Sequence, residues 1–221
     1  WPQQPPPKGP PASAPVAANT GFDITVECVG DPTISGLSGS GCVGGQLVIS
    51  GNNLIGATAV TVGGTAVSSI VSNTNTVLTV VPAPGSTGTV AVTTPVNSVT
   101  SVATYTVNAL PTISSHPSNG TQTICLNGAS TALSVTAAAG SGTIQNYQWF
   151  SNTSATTVGA TLVATHTTAA TTDTYTPLTT AVGILYYYVI VTNSNGCTET
   201  SNFTGAIDIN APVVITIPPS T

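Results

Sequence analysis

Residues 59–67 read Ala59-Val60-Thr61-Val62-Gly63-Gly64-Thr65-Ala66-Val67, and this stretch decides the fold class. Apolar and polar side chains alternate with period two on both sides of Gly63-Gly64, the pattern of a half-buried β-hairpin joined by a two-residue turn. Working outward, Leu47-Val48-Ile49 is bounded by glycines and by Asn52-Asn53, and Val77 to Val81, Thr89 to Thr93 and Ala103 to Val107 continue the series. Upstream, Phe22-Asp23-Ile24-Thr25-Val26-Glu27 alternates in the same way. No stretch carries a stripe of period 3.6, and the abundant Thr and Val are poor helix formers. Short strands about ten residues apart, punctuated by Gly, Pro and Asn, predict an all-β chain built of sandwiches.

Charge is nearly absent around these strands. Lys8 is the one cation among 221 residues, six residues are acidic, and charged residues make up 3% of the chain. An ordinary soluble domain carries roughly a quarter. Thr, Ser and Asn supply the polarity instead. With a single cation, binding to nucleic acid or phosphate is electrostatically disfavoured. A chain of this length holds one or two domains of typical size. No segment approaches the roughly 20 apolar residues of a membrane span. The sequence begins at Trp1 without Met or a signal-like segment, so we expect a processed, secreted protein.

The four cysteines, Cys28, Cys42, Cys125 and Cys197, lie far apart with no CxxC pair, which favours two disulfides over a zinc site. Their order predicts Cys28–Cys42 and Cys125–Cys197, one inside each domain, with the other connectivities formally open. The absence of Met agrees with an oxidising exterior.

Two resemblances follow from particular residues. Asp31-Pro32-Thr33-Ile34-Ser35-Gly36-Leu37, then Gly45-Gln46-Leu47-Val48-Ile49-Ser50-Gly51-Asn52-Asn53-Leu54, resembles the opening of an IPT/TIG domain. Val60 to Val67, the Val80-Val81-Pro82 step and Tyr105-Thr106-Val107 are similar to the rest of that pattern, over about residues 31–108. The strand before Pro32 departs from it. Asn146-Tyr147-Gln148-Trp149-Phe150, the run Tyr186-Tyr187-Tyr188-Val189-Ile190-Val191 and Asn195-Gly196-Cys197 resemble the Ig-like, PKD-like repeats of Bacteroidetes surface proteins, over about residues 110–210. Both resemblances imply immunoglobulin-like sandwiches used as extracellular spacers or interaction modules. Trp149 is then the expected core anchor. The expected organisation is a Pro-rich leader at 1–21, sandwiches at 22–108 and 109–211, and a tail at 212–221 carrying one extra strand.

No chemistry-bearing constellation appears. His116 stands beside a proline and His166 in a Thr/Ala stretch, neither with ligand spacing. Asp23, Glu27, Asp31, Asp173, Glu199 and Asp208 form no calcium loop, and no GxSxG elbow is present. We therefore expect no enzyme, no metal and no cofactor. Asn119, Asn152 and Asn202 head N-glycosylation sequons, and Thr153 and Thr167 lie in stretches suited to O-linked sugar.

The leader and tail carry the functional expectation. An apolar strand such as Val213-Val214-Ile215-Thr216-Ile217, left bare in water, is an aggregation site unless it is paired. Phe22, Ile24 and Val26 form a second inter-subunit strand candidate. The expected partners are copies of the same chain, in a helical homopolymer joined head to tail by strand addition. The alternative is a spacer or glycan-binding module of a large surface adhesin, with surface glycans as partners.

Overall fold

The computed structural model describes residues 30–213, in which seventeen β-strands and no helix occur. The strand candidates at Phe22, Ile24 and Val26 and at Val214, Ile215, Thr216 and Ile217 lie outside the described residues, as does Cys28. The chain is all-β, with two immunoglobulin-like sandwiches in tandem.

The first sandwich contains β1 (Thr33–Gly39), β2 (Leu47–Asn52), β3 (Ala59–Val62), β4 (Thr65–Ala66), β5 (Ser69–Asn73), β6 (Val77–Val81), β7 (Thr87–Thr93) and β8 (Ser98–Thr106). One sheet runs β1-β2-β6-β5 and the other β4-β3-β7-β8. Strict alternation sends Leu47, Ile49, Val60, Val62, Leu78, Val80, Val90 and Val92 inward, and together with Leu54 they form a wholly aliphatic buried core. Burying each such side chain contributes about 1.5–3 kcal/mol. The hairpin read from residues 59–67 is present, with Gly63 at φ 56° and Gly64 at φ 81°. These are left-handed positions that type I′ turns require. A Cβ on Gly63 would also collide with the Thr87 carbonyl oxygen.

The second sandwich contains β9 (Thr112–Ser115), β10 (Gln122–Cys125), β11 (Leu133–Ala138), β12 (Ile144–Asn152), β13 (Thr161–Thr167), β14 (Thr172–Tyr175), β15 (Gly183–Asn193), β16 (Thr198–Thr200) and β17 (Ile207–Asn210). Its larger sheet runs β10-β17-β15-β12-β13, and its smaller one β14-β11-β9. One edge of β15 pairs first with β17 and then, further along, with β16. Here the core is aromatic. Trp149, Tyr147 and Tyr187 are buried, and Tyr175 stands 5.8 Å from Trp149 and 5.6 Å from Tyr187 between ring centroids. Trp149 is fully buried on β12, between β15 and β13, as its expected role requires. The next residues along point outward, where Phe150 stacks on Tyr188 and Phe203 closes edge-on over Tyr188.

Hydroxyl side chains repair the ladders where they break. Between β16 and β17, the Val189 N–H donates to Ser201 Oγ at 3.0 Å and the Tyr187 N–H to Thr204 Oγ1 at 2.9 Å. In the first sandwich the β7–β8 register shifts between Thr89 and Ala91, and there the Val90 N–H donates to Ser101 Oγ at 2.8 Å. A buried N–H without a partner would cost about 1–3 kcal/mol, so these three buried hydroxyls have a defined task in a chain poor in charge.

Candidate functional site

The two sandwiches meet at a clamp built on the linker. The Asn108 N–H donates to the Gly41 carbonyl at 2.6 Å, and the Asn108 carbonyl accepts from the Val43 N–H at 3.0 Å. One residue on, the Ala109 N–H donates to Ser141 Oγ at 2.8 Å, and its carbonyl accepts from Asn193 Nδ2 at 3.1 Å. Asn193 is fully buried, and every polar atom of its amide is used. Its Nδ2 also donates to the Ala139 carbonyl, and its Oδ1 accepts from the N–H groups of Asn195 and Cys197. With the backbone groups of Asn108 and Ala109 bonded to the flanking domains, the linker cannot act as a free hinge without breaking these bonds.

A disulfide between Cys42 and Cys197 closes the same junction, with Cα atoms 5.6 Å apart and 155 residues of separation. This overturns both expected pairs. Cys42 follows β1 and is bridged to Asn108 at the junction, while Cys197 occupies the β15–β16 turn at the junction end of the second sandwich. Cys125 ends β10 opposite Asn210 at the far end, so the length of the sandwich separates it from Cys197. Cys125 is exposed and carries a free thiol. The order of cysteines along the chain does not say which end of a sandwich each one reaches.

Beside the clamp lies a groove of about 540 Å³ lined by Val43, Leu110, Pro111, Ile113, His116 and Glu199. His116 Nδ1 accepts the Asn202 N–H at 3.0 Å, which assigns the ring proton to Nε2 and ties two loops together. His116 is exposed and Glu199 half-buried, and the His116 ring bonds the Asn202 N–H instead of the Glu199 carboxylate.

Sequence reading missed one polar cluster. His166 Nδ1 lies 2.8 Å from Asp173 Oδ2, and the Trp149 indole N–H donates to the same oxygen at 2.7 Å. His166 sits on β13 of one sheet and Asp173 on β14 of the other, so the pair latches two edges across the sandwich. Among the described residues no serine or cysteine side chain hydrogen-bonds to the pair, and the Asp173 carboxylate satisfies the buried indole. The aromatic core also moves acidities. Burial, helped by neighbouring Tyr175, pushes the Tyr187 hydroxyl up to about 12. Burial and then the Asp173 charge raise that of Tyr147, whose hydroxyl donates to the Ala170 carbonyl at 2.8 Å.

The corresponding edges of the first sandwich are joined by no side-chain ion pair, and at the junction end the Gly41 N–H, two residues past β1, donates to the Tyr105 hydroxyl of β8 at 3.0 Å. Between β1 and β8 runs a groove of about 240 Å³ lined by Ile34, Leu37, Ser101, Val102 and neighbouring backbone, with Val102 fully exposed. The outward edge of β1 has no strand partner among the described residues.

Of the modification candidates, Asn119, Thr153, Thr167 and Asn202 are exposed. Asn152 is half-buried and donates Nδ2 to the carbonyls of Thr156 and Val158, so a sugar there would displace at least one bond. Val213 is exposed where the described chain ends. Asp31 is tied to Asn97 Nδ2 and, through its carbonyl, to Asn53 Nδ2, while Asp23 and Glu27 lie outside the described residues. No group of three or more metal-ligating side chains occurs among the described residues. None of their helices could cross a membrane, since there are none.

No protein-family profile matches the chain, and no curated protein matches it either. Solved structures do show similar strand arrangements. The fibronectin(III)-like modules of Clostridium thermocellum CbhA are 13% identical, with a TM-score of 0.40 over 81% of this chain and 93% of theirs. The N-terminal eight Ig domains of the Down Syndrome Cell Adhesion Molecule are 16% identical, at 0.35 over 82% of this chain and 25% of that one. A Bacteroides ovatus protein, SGBP-B of a mixed-linkage glucan utilization locus in complex with a heptasaccharide, is 12% identical, at 0.32 over 82% and 45%. The chain thus spans about a quarter of the cell adhesion structure and under half of the Bacteroides protein. At such similarity no functional property passes from them to this chain.

Proposed function

We propose that this chain is the structural subunit of an extracellular, pilus-like filament, assembled head to tail by strand pairing between copies. The observation that carries this reading is the junction clamp. A cross-domain disulfide and a linker bonded at Asn108 and Ala109 turn two sandwiches into one stiff element, which suits a part that must transmit tension. The presence of a disulfide favours an oxidising compartment outside the cytoplasm. The apolar tail beyond Val213 is the donor in this proposal, and the β1–β8 groove is its acceptor in the next copy. Main-chain hydrogen bonds to β1 would supply affinity, and the half-buried Ile34 and Leu37 would receive alternate side chains. The near-absence of charged residues to guard exposed edges agrees with edges meant for pairing. Sugar on exposed Thr and Asn would shield the remaining surface.

Sedimentation of the full chain against a chain ending at Asn210 tests this. The full chain should form large, polydisperse species and the shortened one should stay monomeric. A full chain that remains monomeric after removal of any assembly block would reject the filament. The adhesin-module alternative gains no specific observation, because the outward Phe150–Tyr188–Phe203 cluster closes on itself and leaves no flat aromatic platform for a sugar.

A further inference from the structure

Glu199 points to the core side of its strand. It is paired with Val191 across the β15–β16 ladder, and opposed residues of an antiparallel ladder share a face. Val191 is fully buried in the aromatic core, so Glu199 is directed inward while Thr198 and Thr200 face solvent. A half-buried carboxylate is costly unless it meets a cation or several donors. Among the described residues no Lys or Arg occurs, and the one ion pair is His166–Asp173.

The junction builds a groove around this side chain. The Cys42–Cys197 bridge brings Val43, next to one cysteine, and Glu199, two residues past the other, to the same cavity. Leu110, Pro111 and Ile113 make the rest of its wall apolar. Its volume of about 540 Å³ and its place at a domain interface are those of a ligand site. Two further groups open onto it. Because His116 Nδ1 accepts the Asn202 N–H, its Nε2 carries a proton to donate. β9, which contributes Thr112 and Ile113, is bonded to β11 along one edge and has no strand partner along the other among the described residues.

Together these groups select one kind of occupant. An unpaired strand edge takes extended main chain, the apolar wall takes an aliphatic side chain, and the His116 N–H takes a carbonyl oxygen. The Glu199 carboxylate takes a cation. Arginine suits it better than lysine, because the planar, weakly hydrated guanidinium meets a carboxylate with two parallel N–H bonds. A neutral sugar could accept from His116 but would bring no charge to Glu199. Side chains two residues apart on a strand share a face, so the arginine and the aliphatic residue stand at that spacing.

We infer that the junction groove is a docking site for an extended arginine-bearing segment of a partner protein, which pairs with the free edge of β9 and sets its guanidinium on Glu199. The groove is formed within one copy, so the site is independent of any filament.

The test titrates a fluorescent peptide, Thr-Arg-Thr-Val-Thr blocked at both ends, into the full-length chain and follows its anisotropy. A control peptide carries citrulline, which keeps the shape of arginine without the charge. The expected result is saturable binding, weakened about 10–100-fold by citrulline and by a similar factor in Glu199→Gln. Glu199→Lys should reverse the preference toward Thr-Glu-Thr-Val-Thr, and the citrulline comparison needs no variant to fold. Amide exchange should slow in residues 112–116 on binding and stay unchanged in β1 and β8. Equal affinity for the arginine and citrulline peptides, unchanged affinity in Glu199→Gln, or slowing elsewhere in place of 112–116 overturns the docking site. So does an absence of binding up to millimolar peptide, since the inward Glu199 then serves only to blunt an edge against pairing. Lys8, the one cation of the chain, lies outside the described residues, and Lys8→Ala should leave the affinity unchanged. Tighter binding in that variant would make the chain's own leader the occupant and overturn the assignment to a partner.

Discussion

In the second sandwich, β13 and β14 are tied across the seam by His166 and Asp173, whereas β1 and β8 of the first leave a groove with Val102 bare. The cores differ in the same sense. The first has an aliphatic buried core with Tyr105 at its margin, and the second is built on Trp149, Tyr147, Tyr175 and Tyr187, whose polar atoms need partners. Aromatic side chains bury much area, but a buried indole N–H must find an acceptor. Asp173 provides one, and the same carboxylate holds His166, so satisfying the core also closes the seam. An aliphatic core makes no such demand, and β1 and β8 lie side by side with one polar tie, the Gly41 N–H donating to the Tyr105 hydroxyl at the junction end. The difference teaches that an aromatic core ties its sheets together through its polar atoms, whereas the aliphatic core leaves the outward edge of β1 beside an open groove.

The comparison can be broken most severely at the junction. Cys42→Ser releases a loop closure worth about 5 kcal/mol by chain entropy. Calorimetry should then resolve two melting transitions where the disulfide-linked protein melts with the sandwiches coupled. Against that background, Trp149→Ala should lower only the second sandwich's transition, by about 3–5 kcal/mol, and Leu47→Ala only the first's, by about 2–5 kcal/mol. A single transition displaced by both variants would mean that the cores are not independent.

Asp173→Ala is a smaller and more pointed change. It leaves the buried indole N–H unpaired, at about 1–3 kcal/mol, and unties the latch. Hydrogen exchange should accelerate in β13 and β14 and stay unchanged in β1 and β8. The mildest perturbation is alkali. The Tyr187 hydroxyl ordinarily titrates at 10.0 and is held up to about 12 in the folded chain, so the folded state keeps the proton longer. Its contribution to stability is whole below pH 10 and is lost as pH rises from there to about 12. Tyr147, Tyr175 and Tyr188 are shifted in the same direction by burial, so alkaline melting should begin in the second sandwich.

The strands were legible in the sequence because period-two alternation and Gly-Gly or Asn-Gly turns are local signals. Residues 59–67 fold as their pattern requires, and Trp149 is where a sandwich anchor belongs. What was not legible is contact between segments whose proximity depends on topology. Asp173 and His166 meet because β13 and β14 belong to opposing sheets, which no spacing along the chain encodes. Ser101, Ser201 and Thr204 splice broken ladders, yet each is one hydroxyl among many until the register shift beside it is known. The expected cysteine pairs failed for the same reason. Proximity in sequence favoured Cys28–Cys42, whereas the turn after β15 carries Cys197 to Cys42.

Cryo-electron microscopy of the native material, traced through the contact between successive copies, tests the central claim most directly. The account predicts fibres of uniform width in which successive copies meet head to tail, with density for residues 213–217 of one copy running along β1 of its neighbour. Dispersed particles, or fibres in which the outward edge of β1 stays bare, would contradict it.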